Sequence, residues 1–385
     1  MTAQLDKDSE AFIDAARGFA ALAVLITHSL DFGIRGVYGH DLVNAPDAWR
    51  WMAASIGHGS FFVWGFFVIS GFCIHLSILR SKQMGTFNWS GYAAARVSRI
   101  YPLFLLGLLL AILVWWFTDD PSSAEATRPW PQFLASLLSL HIFTTSFPNF
   151  MPSWSLSNEM IYYGTWPLLL SMVGWRASRA LTLGGASALL VCLLIGYIWS
   201  VLHRLETSTA VNGLWSVSVL FPLWLSGVWL VENWARISPH VTRRLWHLSF
   251  LLCLGAELLL TWMKYHQRSQ AMIDFTGLAA LPGLILLLAG ARHARLSSRA
   301  WLQPWIRWFG QFSYPCYILQ MPLLVLQLRL VIPYLPEAAT SHPLARAAWL
   351  LLPTFLLLAL IGPWLERRIM AWRSRFLSSF IPKQS

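Results

Sequence analysis

The stretch DAARGFAALAVLITH (14–28) sets a carboxylate, a guanidinium and an imidazole at helical spacing. Arg17 and His28 are eleven residues apart, which at about 100° per residue is three turns plus roughly 20°. They share one helix face and are separated along the axis by about 16 Å. Asp14 precedes Arg17 by three on that face, at ion-pair spacing. The surrounding residues are apolar enough for a membrane span, where charges are costly and usually functional. Asp14 and Arg17 could equally anchor an interfacial helix end. His28 is harder to dismiss, because an imidazole at that depth needs a polar partner or a cavity.

Three more constellations carry polar chemistry. In ARVSRIYP (95–102), Arg96 and Arg99 lie on one helical face just before Tyr101 and Pro102. Two guanidiniums at a helix entrance suit a polyphosphate ligand, although ordinary membrane anchors look the same. In PSWSLSNEMIYY (152–163), Pro152 and Ser153 read as a helix start with Ser153 as its N-cap. Glu159 then falls in the early turns, with Tyr162 and Tyr163 three and four residues on. That carboxylate could act as acid or base, orient an imidazole, or only offset the helix dipole. In GHGSFFVWGFFVISGFCIH (57–75), Gly57, Gly59, Gly65 and Gly71 imply tight helix packing, and Ser70 and Gly71 would let a ligand approach. His58 and His75 at its ends read as interfacial.

Other chemistries lack their signatures. There is no HExxH, no CxxC pair, no Walker A loop and no GxSxG elbow, so no metal site is expected. Cys73, Cys192, Cys253 and Cys316 read as small buried hydrophobes. Asp119–Asp120 reads as a solvated turn before Pro121, and Glu257 is an acid within a span with no partner to assign.

The elements that must position these groups follow from composition. Of 385 residues, 56% are hydrophobic, 15% aromatic and only 12% charged. Disorder is excluded, and a single soluble domain has too little polar surface to cover such a volume. The chain is expected to be an all-α polytopic membrane protein with about ten transmembrane helices. A span needs about 20 apolar residues. Candidates lie near 12–32, 58–79, 100–117, 153–174, 180–200, 211–232, 246–264, 272–290, 308–330 and 347–366. The net charge of +11 is read as topology before nucleic-acid binding, since Lys and Arg accumulate in cytoplasmic loops. With ten spans most of the basic residues fall on one side, which puts both termini in the cytoplasm. Counting 131–147 as a further span would reverse that bias, so this segment is expected to be re-entrant or interfacial. The start lacks the basic n-region of a signal peptide. One membrane domain over 1–385 is expected, with no appended soluble domain, and a basic tail after Glu366 resting on lipid headgroups.

Five of these motifs, in this order, resemble the membrane-bound acyltransferase family 3, which includes O-acetyltransferases of bacterial surface polysaccharides. They are Arg17 with His28 in the first span, FFVISGF (66–72), Arg96 to Pro102, Trp154 to Glu159, and FSYPCYILQMP (312–322). Relatives often carry His in the last motif where this chain has Gln320, which puts an imidazole role there in doubt. The resemblance implies acyl transfer, most often of acetyl, from cytoplasmic acyl-CoA to a hydroxyl of a carbohydrate or glycolipid acceptor in a bacterial inner membrane. Acyl-CoA would be a co-substrate, with no tightly bound cofactor. On that reading Arg96, Arg99, Arg17 and Tyr101 face the CoA, and His28 is the base. Asp14 steadies Arg17, while Glu159 orients His28 or shapes the acceptor pocket. Trp154, Ser155, Tyr162, Ser70, Tyr314 and Gln320 complete the pocket. The residues alone leave two rivals open: a transporter with a buried Asp/Arg/His relay, and a glycosyltransferase using a lipid-linked sugar. Oligomeric state and the acceptor's identity are also open.

Overall fold

A computed structural model describes residues 5–56, 59–118, 130–202 and 209–378. His58 and the Asp119–Asp120 pair lie outside these residues. The described residues form fifteen α-helices, short 3-10 turns and no strand. The helices are α1 (Lys7–Tyr38), α2 (Asp47–Ile56), α3 (Ser60–Gln83), α4 (Trp89–Thr118), α5 (Trp130–Leu137), α6 (Trp154–Met172), α7 (Ala177–Leu202) and α8 (Thr209–Glu232). They continue as α9 (Trp234–Ile237), α10 (Arg243–Tyr265), α11 (Gln270–Ala279), α12 (Leu281–Ala289), α13 (Gln303–Leu330), α14 (Glu337–Thr340) and α15 (Pro343–Ser378).

Every expected span falls on a helix or, for 272–290, on the pair α11 and α12, which break ahead of Pro282. Nine stretches among the described residues are long and apolar enough to cross a membrane. This is the architecture of an all-α polytopic membrane protein. Helix α6 is the expected span missing from the nine. It has 19 residues, but Ser155, Ser157, Asn158 and Glu159 crowd its first turns and lower its mean hydropathy. Those polar side chains turn into the protein, where Ser155, Ser157 and Asn158 are buried.

Segment 131–147 holds no helix long enough to cross a membrane. Its helix α5 has only 8 residues, about 12 Å of rise, and a 3-10 turn at His141–Phe143 follows. Irregular backbone at membrane depth is tolerated where it is buried in protein. Here Ser136, Ser139 and His141 are all buried, and Ser157 donates to the Ser139 carbonyl at 2.5 Å.

Two packing units build the bundle. Helix α1 lies against α13 and α15, and α13 also packs on α4. Helix α3 lies against α8, which packs on α7. The α3–α8 crossing depends on two glycines. A Cβ on Gly71 would collide with the Trp224 carbonyl, and one on Gly227 with the Val68 carbonyl. Small residues that let backbones touch are a main source of helix association in lipid.

Local capping agrees with sequence at one end and departs from it at another. Asp6 Oδ1 accepts from the Ser9 amide at 2.8 Å and starts α1. Ser153, expected to cap α6, instead donates to the Phe150 carbonyl at 2.6 Å within the 3-10 turn that leads into the helix.

Candidate active site

A cavity of about 230 Å³ opens between α1, α3, α4, α6 and α13. It collects residues from all five sequence motifs. Arg17, Ser70, Arg96, Arg99, Ser155, Glu159 and Tyr314 all line it.

The three arginines are not equivalent. Arg17 has no hydrogen-bond or ion-pair partner among the described residues, so its guanidinium is available to a ligand. Arg96 donates from Nη2 to Ser77 Oγ at 2.7 Å and lies over the Tyr92 ring, while its Nε is buried with no acceptor among the described residues. Arg99 is committed elsewhere. It pairs with Glu366 of α15, touches Met370 Sδ at 3.5 Å and lies over the Tyr314 ring. As a cradle for an incoming anion, Arg99 is therefore the weakest of the three.

A polar chain crosses the cavity wall and ends on Glu159. Trp224 Nε1 donates to Ser70 Oγ at 3.2 Å, Ser70 Oγ meets Tyr163 Oη at 3.1 Å, and Tyr163 donates to Glu159 Oε2 at 3.3 Å. With Glu159 as a carboxylate it can only accept, so Tyr163 is its donor and Ser70 must donate to Tyr163. Beside it, Ser155 Oγ and Tyr317 Oη are 2.6 Å apart, and Tyr314 donates to the Ile100 carbonyl at 2.7 Å.

A second cavity of about 600 Å³ lies behind this wall. Its lining includes Trp64, Trp154, Trp199, Trp215, Lys264 and Asp274. Trp215 Nε1 donates to Asp274 Oδ2 at 2.9 Å, whereas the buried Trp199 Nε1 has no acceptor among the described residues. Trp154 lines this cavity while the next residue, Ser155, lines the first, and Val63 and Trp64 divide in the same way.

A family comparison fits this arrangement. The family model described as an acyltransferase domain matches residues 10–367. The chain belongs to that acyltransferase family. No curated protein and no solved structure matches it. The protein is thus an enzyme, an integral-membrane acyltransferase that passes an acyl group to a hydroxyl acceptor. Its family membership sets aside the transporter and glycosyltransferase readings.

Several expected site residues sit elsewhere in this acyltransferase. His28 is buried in α1 at 6% exposure but is not among the residues lining the first cavity. It lies about 16 Å further along the helix from Arg17. Asp14 packs beside Gly310 and makes no ion pair with Arg17 among the described residues, so it does not fix that guanidinium by a direct contact. Tyr101 faces Ser139, with Oη and Oγ at 3.1 Å, and lines neither cavity. Tyr162 is a core residue that donates to the Val217 carbonyl at 2.7 Å and stacks on Phe221. Gln320 is fully buried, donates to the Tyr317 carbonyl at 3.2 Å and leaves its Oε1 without a partner among the described residues.

Two further corrections concern residues read as bland. Cys73 is only half-buried and lines the first cavity, unlike the other three cysteines, which are buried. His75 is fully buried within the protein. Trp166 Nε1 donates to its Nδ1 at 3.1 Å, so Nε2 carries the hydrogen towards Glu232 Oε1, 2.7 Å away. Both ring nitrogens are thereby occupied in holding α3, α6 and α8 together.

Sequence reasoning missed Glu366, Cys73 and Tyr317. A faint signal existed for Glu366: it is the one acid in a run of basic residues that closes the last span. Tyr163 had the i+4 spacing that puts it over Glu159.

Proposed function

We propose that this acyltransferase takes an acetyl group from acetyl-CoA at the cytoplasmic end of the bundle. It delivers the group to a hydroxyl of a carbohydrate or glycolipid in a bacterial inner membrane. The observation that carries the reading is Arg17, a guanidinium without a protein partner among the described residues, facing a cavity that Arg96 also lines. Paired guanidiniums match the phosphates of CoA, and Arg binds phosphate in a planar, two-pronged fashion. The pantetheine arm then runs inward past Ser70, Glu159 and Tyr317, carrying the thioester towards His28.

In the proposed step His28 takes the proton of the acceptor hydroxyl as that oxygen attacks the thioester carbonyl. The carbon–sulfur bond breaks, the acetyl ester forms, and the departing CoA thiolate takes the proton back from the imidazolium. A buried base keeps bulk water from the thioester. The acceptor would enter through the tryptophan-lined cavity. Aromatic faces suit the C–H faces of sugar rings, and Asp274 and Trp199 Nε1 offer hydrogen-bonding groups.

The test is product formation. Purified protein in proteoliposomes is given labelled acetyl-CoA and a panel of glycans and glycolipids, and acetylated products are identified by mass spectrometry. The expected result is acceptor-dependent release of CoA with one acetyl ester per turnover. His28→Ala should lower kcat by about 10²–10⁴. Full activity in a folded His28→Ala protein would overturn the assignment of the base. Failure to consume acetyl-CoA with any acceptor would overturn the donor.

A further inference from the structure

At the other end of the bundle lies a second basic site, unrelated to the acyl-donor cavity. Arg35 is eighteen residues along α1 from Arg17, about 27 Å of rise. There a groove of about 650 Å³ is lined by Arg35, His40, Arg329 and Arg346, with Phe32 and Phe117 among its apolar walls. Basic residues are expected to be sparse on this side, because Lys and Arg accumulate on the cytoplasmic one. Three arginines converging here are therefore not explained by topology.

The charges are also unbalanced. Arg35 is matched by Asp31, with Nε to Oδ1 at 2.9 Å, and it donates to the His40 carbonyl as well. Arg329 and Arg346 make no ion pair among the described residues. Arg346 Nε is buried with no acceptor among the described residues, a condition that costs free energy unless a ligand supplies one. Gly36 makes room for that guanidinium, since a Cβ there would collide with Arg346 Nε.

We infer that this groove binds the phosphate of a membrane lipid. Arg329 and Arg346 take the anionic headgroup, and the hydrocarbon lies along Phe32, Phe117 and Leu330. Two guanidiniums without a carboxylate partner among the described residues ask for an anion, and phosphate is the anion they fit best. The apolar wall distinguishes a lipid phosphate from a free one, which would gain nothing from Phe32 and Phe117. The lipid would join the ends of α1, α4 and α13 to the first turn of α15. This inference does not depend on the acyl-transfer reading.

The test measures phosphatidylglycerol retained by the delipidated full chain in detergent, titrated by native mass spectrometry. Arg329→Gln and Arg346→Gln should each weaken binding about tenfold. Gly36→Val, which displaces the Arg346 guanidinium without removing charge, should weaken it comparably. The control Arg50→Gln/Arg268→Gln should leave it within about twofold, since exposed charges away from the groove contribute little. All variants should unfold at the parent temperature. Equal retention by Arg329→Gln/Arg346→Gln and the parent would overturn the site. Displacement of the lipid by an equimolar amount of inorganic phosphate would overturn the lipid assignment.

Discussion

Arg99 of α4 and Glu366 of α15 form an ion pair across 267 residues of sequence, fastening the last long helix to the rim of the first cavity. Glu366 is only 4% exposed, and its second carboxylate oxygen is buried without a donor among the described residues. Removing one partner of such a pair leaves an uncompensated buried charge. Arg99→Ala should therefore destabilise the fold by about 3 kcal/mol, and Arg99→Ala/Glu366→Ala should recover much of that. Thermal unfolding in detergent checks both. A double variant as unstable as Arg99→Ala would show that the pair is not the cause.

Arg17 should behave in the opposite way. It has no protein partner to lose among the described residues, so Arg17→Ala should leave the unfolding temperature unchanged. A charged hydrogen bond to a ligand contributes about 1.5–3 kcal/mol, so kcat/KM for acetyl-CoA should fall about 10- to 100-fold. Arg17→Lys should restore part of it. Steady-state kinetics at saturating acceptor measure the change.

Cys73 offers a direct view of donor binding. Of the four cysteines it alone lines the cavity, and the other three are buried. N-ethylmaleimide should modify Cys73 first, and acetyl-CoA should slow that reaction while free acetate does not. Peptide mass spectrometry of the labelled protein gives the rate. Labelling at Cys73 that is indifferent to acetyl-CoA would argue against the donor occupying this cavity.

Two adjacent tyrosines should separate catalysis from stability. Tyr163→Phe removes the donor to Glu159 and should lower kcat about fivefold, a loss of about 1 kcal/mol, with little change in unfolding temperature. Tyr162→Phe removes a buried bond to the Val217 carbonyl and should cost about 1 kcal/mol of stability with kcat unchanged. Kinetics and melting curves on both variants test the contrast.

The helical architecture was legible in composition, because apolar length is a local property. Most of the cavity was legible too. The motifs around Arg17, Ser70, Arg96, Glu159 and Tyr314 each contribute a side chain to it. What local reading could not supply is rotation about each helix axis. Tyr101 stands five residues from Arg96, about 140° round the helix, and so turns towards Ser139. Tyr163 is about 40° from Glu159, whereas Tyr162 is about 60° the other way and meets α8. Arg17 and His28 do share a face, but the cavity reaches only the first of them. Glu366 was out of reach for another reason: its partner lies in a helix separated from it by most of the chain. Apolar counting likewise undervalues α6, whose polar residues face inward where no lipid sees them.

Trp154 and Ser155 are neighbours in sequence, yet they border different chambers. The partition between the two chambers is thus about one side chain thick. On the proposed reaction neither substrate has to traverse the membrane; only a two-carbon fragment changes compartments. The directionality of a pump would then arise without rocking domains or an ion gradient, from the exergonic exchange of a thioester for an oxygen ester.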